Sequence, residues 1–129
     1  MKGPFADKCR QVCEAHDWEL LPTGVFVRFG DGRGQLVRLE FFEHELEELV
    51  RFSSVIGAID SLSRERLVTA LRANSGFAHG GLAIIDDDLC VVDTLIIAGA
   101  EARAVAAVIE YLARSADEYE RIVFGVDDN

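Results

Sequence analysis

Apolar residues recur along this chain with two periods, and the changes from one to the other mark its elements. Phe5, Cys9, Val12, Cys13 and His16 fall on one stripe at helical spacing, which predicts a first helix with that stripe buried. Trp18-Glu19-Leu20-Leu21 follows, and Pro22-Thr23-Gly24 punctuates the chain. Val25-Phe26-Val27-Arg28-Phe29 alternates as a strand does, and Gly30-Asp31-Gly32-Arg33-Gly34 reads as a turn whose glycines supply positive φ. Residues 35–42 predict a second strand with Val37, Leu39 and Phe41 on one side. Glu43-His44-Glu45 reads as a polar turn, and residues 49–56 as a third strand with Val50, Phe52 and Ile56 on one side. Residues 43–49 also fit a short helix, because Leu46 and Leu49 suit that period.

The second half opens on a helix with Ser63 as N-cap and Arg66 where a capping box would place an acid. Leu67 and Leu71 share one face of it with Val68 beside them, and Asn74-Ser75-Gly76 ends it in residues that tolerate a left-handed turn. Residues 77–85 and 89–97 read as apolar strands joined by a three-residue loop, Asp86-Asp87-Asp88. Residues 101–122 form a long closing helix with Val105, Ile109, Leu112, Ala116 and Tyr119 on one stripe, and Asp127-Asp128-Asn129 should fray beyond it. The order αβββαββα, with its strands in hairpin-like runs, predicts an α+β fold: an antiparallel sheet packed with helices, in a single domain over residues 1–129.

Composition narrows the partners. A chain of 129 residues buries roughly two-thirds of its unfolded surface, and 50% hydrophobic with 28% charged residues describes a folded chain. A net charge of −10 with no basic cluster disfavours nucleic acid and anionic membrane surfaces as partners. Apolar runs such as Leu95-Ile96-Ile97-Ala98 are too short to cross a bilayer. Met1-Lys2-Gly3-Pro4 reaches the charges of Asp7 and Lys8 without a signal-peptide apolar stretch, so the expected location is cytoplasmic.

No group of side chains assembles into a reaction centre. Cys9 and Cys13 share a helical face with His16 at a further helical offset, but four zinc ligands are not available, and the buried stripe accounts for all three. Asp86, Asp87 and Asp88 lack calcium-loop spacing and read as a solvated acidic turn. His16, His44 and His79 fall in separate elements, and no Ser or Cys sits on a nucleophile-type sharp turn. The Gly30 to Gly34 run joins two strands and lacks the Lys-Ser/Thr ending of a phosphate loop. Asp93 interrupts an apolar strand and, if buried, calls for an arginine or backbone donors. The expectation is a protein without cofactor, metal or catalytic residues.

The first three strands carry a more specific signal. With Val25, Val27, Phe29, Val37, Leu39, Phe41, Val50 and Phe52 turned to the core, the opposite sides hold Phe26 and Arg28, then Leu36, Arg38, Glu40 and Phe42, then Leu49, Arg51 and Ser53. Large apolar groups beside one arginine per strand match the composition of protein interfaces. The alternatives are that another part of the chain or a second copy covers this face.

In its order of patterns the chain resembles the superfamily of type III secretion chaperone-like proteins, which includes the YbjN family. The resemblance runs through Gln35-Leu36-Val37-Arg38-Leu39, then Val50-Arg51-Phe52-Ser53-Ser54-Val55-Ile56-Gly57 and the helix from Leu67 to Asn74. It continues through the hairpin Gly81-Leu82-Ala83-Ile84-Ile85-Asp86-Asp87-Asp88-Leu89-Cys90-Val91-Val92 and Ala116-Asp117-Glu118-Tyr119-Glu120. It implies a homodimer that binds other proteins without catalysis, through a middle helix at the dimer contact and a sheet that takes up an extended client segment. Carried onto this chain, Leu67, Val68, Leu71 and Asn74 become dimer candidates, and Phe26, Arg28, Leu36, Arg38, Phe42 and Arg51 client-binding candidates. The competing expectation is a regulatory or small-ligand sensor, in which sheet and long helix enclose a pocket with polar groups such as Asp93 converging on it.

Overall fold

In the computed structural model, which describes residues 3–124, strand alternation and helical stripes meet on one side of a single sheet. The elements are α1 (Gly3–His16), β1 (Glu19–Leu21), β2 (Gly24–Arg28), β3 (Gly34–His44), β4 (Glu47–Ala58), α2 (Arg64–Arg72), β5 (Gly81–Ile85), β6 (Asp88–Ile96) and α3 (Ala102–Val123). The six strands lie in the order β1-β2-β3-β4-β6-β5, and every neighbouring pair is antiparallel. The fold is α+β, as the periodicity predicts, with one strand more than the five expected. Residues 127–129 lie outside the described residues.

The added strand is β1, where Glu19 pairs with Phe26 and Leu21 with Gly24 across the Pro22-Thr23 turn. Gly24 is required there, because a Cβ at this position would run into the Val37 carbonyl oxygen. The glycine-rich turn after β2 forms as expected, with Gly30 and Gly32 at φ 37° and 89°.

Several boundaries differ from the pattern reading. β3 runs on through Glu43 and His44, and the hairpin turns on Glu45 and Leu46, both at positive φ (52° and 71°), so neither the polar turn at residues 43–45 nor the alternative helix forms. Asp88 is the first residue of β6, paired with Ile85, which leaves a two-residue turn at Asp86-Asp87. Residues 77–80 are a loop rather than strand, since the Phe77 ring packs on Tyr111 (centroids 6.1 Å) and Tyr119 (5.4 Å) of α3.

The helices lie on one face. α3 turns Val105, Val108, Ile109, Leu112, Ala113 and Ala116 onto the sheet, crossing β2, β3, β4 and β6, while α1 packs beside α3 and against β1. On α1 the stripe of Phe5, Cys9, Val12 and Cys13 is buried, but His16 is exposed and stacks on Trp18 (centroids 4.4 Å). Phe5, Cys9 and Cys13 of α1 and the buried side chains of α3 form one core with Val25, Val27, Val37, Leu39, Val50, Phe52, Leu89 and Val91. Ser54, the buried polar residue in that core, is satisfied: its Oγ donates to the Leu36 carbonyl (2.7 Å) and accepts from Gln35 Nε2 (3.0 Å).

α2 stands apart at the end of the sheet. Ser63 caps it as expected, its Oγ accepting from the Arg66 amide (3.1 Å), and the Arg66 guanidinium donates to the Val123 carbonyl at the end of α3. It runs into a 3-10 turn, Ala73–Gly76, without a left-handed residue at Asn74, Ser75 or Gly76.

Candidate functional site

Side-chain alternation gives the sheet a second face that no helix covers among the described residues. The ladder registers place all six client-binding candidates there. Phe26 lies opposite Leu36, and Arg38 opposite Ser53, which faces Val92. Glu40 lies opposite Arg51, which faces Thr94, and Phe42 opposite Leu49, which faces Ile96. Phe26, Leu36, Phe42 and Arg51 are half-buried, while Arg28 and Arg38 are exposed. The face therefore has an apolar end at Phe42, Leu49 and Ile96, a charged waist at Arg38, Glu40 and Arg51, and a second apolar stretch from Phe26 and Leu36.

The three arginines are not equivalent. Arg28 pairs with Glu19 (3.1 Å) and donates to the Asp17 carbonyl (3.2 Å). Arg51 pairs with Glu40 (3.3 Å) and lies over the Phe42 ring at 4.5 Å, a cation–π contact that holds the ring against the sheet. Arg38 makes no ion pair among the described residues. It is the arginine of this face best placed to meet a carboxylate from outside.

β6 adds residues to the face that the pattern reading did not single out. Cys90, Val92, Thr94 and Ile96 lie on it, continuing the ladder from β4. Residues 89–92 are apolar on both sides, so alternation carries no signal there; only the register with β4 assigns the faces.

Phe41 departs from expectation. It shares the covered side of β3 with Val37 and Leu39, yet it is 45% exposed, because the helix layer ends before it. Its ring meets Phe5 edge to face (5.9 Å) in a cleft of about 730 Å³ between the start of α1 and the ends of β3, β4 and β6. The cleft is open to solvent, and Asp93 does not line it. Asp93 sits opposite Phe52, half-buried, where its carboxylate accepts from the Thr94 amide (2.8 Å). Among the described residues, Asp93 lines neither this cleft nor the four smaller ones.

The four dimer candidates separate. Leu67 is half-buried against the core, whereas Val68 and Leu71 are 38% and 53% exposed on the outer side of α2. Asn74 is engaged inside the chain, where its Oδ1 accepts from the Leu82 amide (2.7 Å) and ties the 3-10 turn to β5.

Among the described residues the titratable groups form no cluster with catalytic geometry. Cys9, Cys13 and Cys90 are buried and free. Burial, reinforced by Cys13, pushes the Cys9 thiol up to about 11, and burial raises Cys13 and Cys90 as well. Burial thus favours the thiol over the thiolate at all three, which lowers their reactivity as nucleophiles. Among the described residues no three His, Cys, Asp or Glu side chains come together as a metal site, and no helix is long and apolar enough to cross a membrane. His44 lies 4.0 Å from Glu45, and the His79 ring meets Tyr111 edge to face at 5.1 Å. Compared with known proteins, the chain matches no protein-family model and no curated protein sequence.

Proposed function

We propose that this chain is a non-enzymatic protein-binding module of chaperone-like or adaptor type, working as a homodimer in the cytoplasm. Its client is an extended apolar segment laid across the open face of the sheet. One observation carries the reading: Phe26, Leu36 and Phe42 share that uncovered face with Arg28, Arg38 and Arg51, and Arg38 has no ion-pair partner among the described residues. A large apolar group beside arginine is the composition that anchors protein interfaces. The order of helices and strands roughly follows the one the resemblance to type III secretion chaperone-like proteins implies, with β1 added, and the exposed Val68 and Leu71 on α2 offer apolar area for a dimer contact.

The test has two parts. Light scattering after size exclusion should give twice the chain mass, and Leu71→Asp should halve it with the circular dichroism spectrum kept. A partner co-purifying with the native protein should be lost from Arg38→Glu/Phe42→Ser while that variant stays folded. A monomeric native protein removes the dimer, and a partner retained by the double variant removes the sheet face as its site.

A further inference from the structure

We propose that the cleft between the start of α1 and the paired ends of β3 and β4 is a second docking site. Its occupant is a segment of a partner protein in which a large apolar side chain stands next to Lys or Arg.

The apolar half of the argument rests on Phe41. Along β3 the same side of the strand is fully covered at Val37 and nearly so at Leu39, but Phe41 stays 45% exposed with Phe5 on one flank and Ile97 beside it. A cleft of about 730 Å³ with this floor accommodates a large side chain and its neighbours.

The charged half rests on the ladder. Glu43 stands directly opposite Glu48, both exposed, and both line the cleft. Like charges in that position repel, and among the described residues no basic side chain lies within ion-pair distance of either. Lys8, the lysine at the cleft, turns its ammonium to the Ala100 carbonyl instead. Glu45 and Glu47 add to the same acidic end of the hairpin, and Leu46 between them is 91% exposed. An incoming cation relieves the Glu43–Glu48 repulsion while its apolar neighbour covers Phe41.

Charge selects this occupant over the others. A second copy of the chain, at net charge −10, would bring two acidic rims together, and nucleic acid would meet the same repulsion. Phe42 and Leu49, the apolar end of the open face, also line the cleft, so a segment seated on Phe41 reaches that end of the open face while Arg38 lies outside the cleft.

The test uses the full chain and a fluorescein-labelled peptide, Gly-Ser-Arg-Leu-Lys-Phe-Arg-Ser-Gly, read by fluorescence anisotropy. One control peptide replaces its basic residues by Glu, and another replaces Leu and Phe by Ser. The basic apolar peptide should bind at least about tenfold tighter than either control, and more weakly as salt is added. Glu43→Gln/Glu48→Gln and, separately, Phe41→Ser should each weaken it by about fivefold or more, while Arg38→Glu leaves it unchanged. The double glutamine variant removes a repulsion and should melt no lower than the native protein, so its result stands even if Phe41→Ser unfolds. No binding, equal binding of either control peptide, or affinity unchanged by the double glutamine variant would each overturn the proposal.

Discussion

The two faces of this sheet are made from alternate residues of the same strands, yet they follow opposite rules. On the covered face, Val25, Val37, Val50 and Phe52 are wholly buried under α3 and α1, and the buried polar side chain there, Ser54, has both its hydrogen bonds inside the protein. On the open face the large apolar side chains of β2 and β3 have charged neighbours: Phe42 lies under Arg51, Phe26 is flanked along β2 by Arg28, and Leu36 along β3 by Arg38. Burial on the first face stabilises the fold through apolar area removed from water. The second face leaves comparable side chains half-covered, and under the proposed function the gain from finishing their burial falls to a partner. Under the proposed function the two faces divide stability from recognition, and that division can be tested directly.

The largest effect should come from truncating equivalent rings on the two faces. Phe52→Ala should cost about 3–5 kcal/mol in urea denaturation, whereas Phe42→Ala, on the open face, should cost about 1 kcal/mol or less. Equal losses would mean that the open face is already packed within the folded chain, and the contrast would be gone.

A smaller effect separates structure from surface at the end of the sheet. Asn74→Ala leaves the Leu82 amide without its partner and should cost about 1–3 kcal/mol. Leu71→Ala, earlier in the same segment and half-exposed, should change unfolding of the isolated chain by about 0.5 kcal/mol or less while weakening self-association. If Asn74→Ala acted on dimer mass and left stability alone, the bond from its side chain to β5 would not be what holds the 3-10 turn.

The thiols extend the comparison to pH. Cys9 lies on the buried side of α1, and its folded thiol, at about 11, stands above the ordinary value of 9.0. Folding thus favours the protonated form, so its contribution to stability is complete below pH 9 and is lost as pH rises through about 11. Denaturation midpoints should fall across that window, and the fall should shrink in Cys9→Ala. A midpoint independent of pH between 9 and 11 would contradict the burial of that thiol. Cys90 lies on the open face, where burial raises its thiol and the nearby Arg38 opposes the rise. Arg38→Ala removes that opposition, so the Cys90 thiolate should form at higher pH, read by ultraviolet absorbance in variants that keep one cysteine each, while Cys9 and Cys13 ionise as before. An equal shift at all three thiols would point to a general change in the fold instead.

Long periodic stretches made much of this architecture legible in the amino-acid sequence. The stripes of α1 and α3 and the alternation of β2, β3 and β4 predict the covered face almost residue for residue, because burial on one side of a helix or strand imposes a period. β1 was hidden because three residues carry no period, and Phe77 resembled a strand residue although it packs on Tyr111 and Tyr119 from a loop. The β3–β4 turn was misplaced because Glu45 and Leu46, both at positive φ, are not the residues that such a turn selects. Phe41 follows the core period, yet it protrudes because the helix layer stops short, a matter of tertiary length that no strand pattern contains. The candidate face was legible on β2, β3 and β4, where polar residues break the apolar run. It was illegible on the first half of β6, which is apolar on both sides.

The most direct test of the central claim is a calorimetric titration of the co-purified partner's client segment into the native chain and into Arg38→Glu/Phe42→Ser. A client seated on the open face should bind the double variant about a hundredfold more weakly while unfolding midpoints stay within a few degrees. Undiminished affinity in a folded double variant would place the client elsewhere and contradict the account.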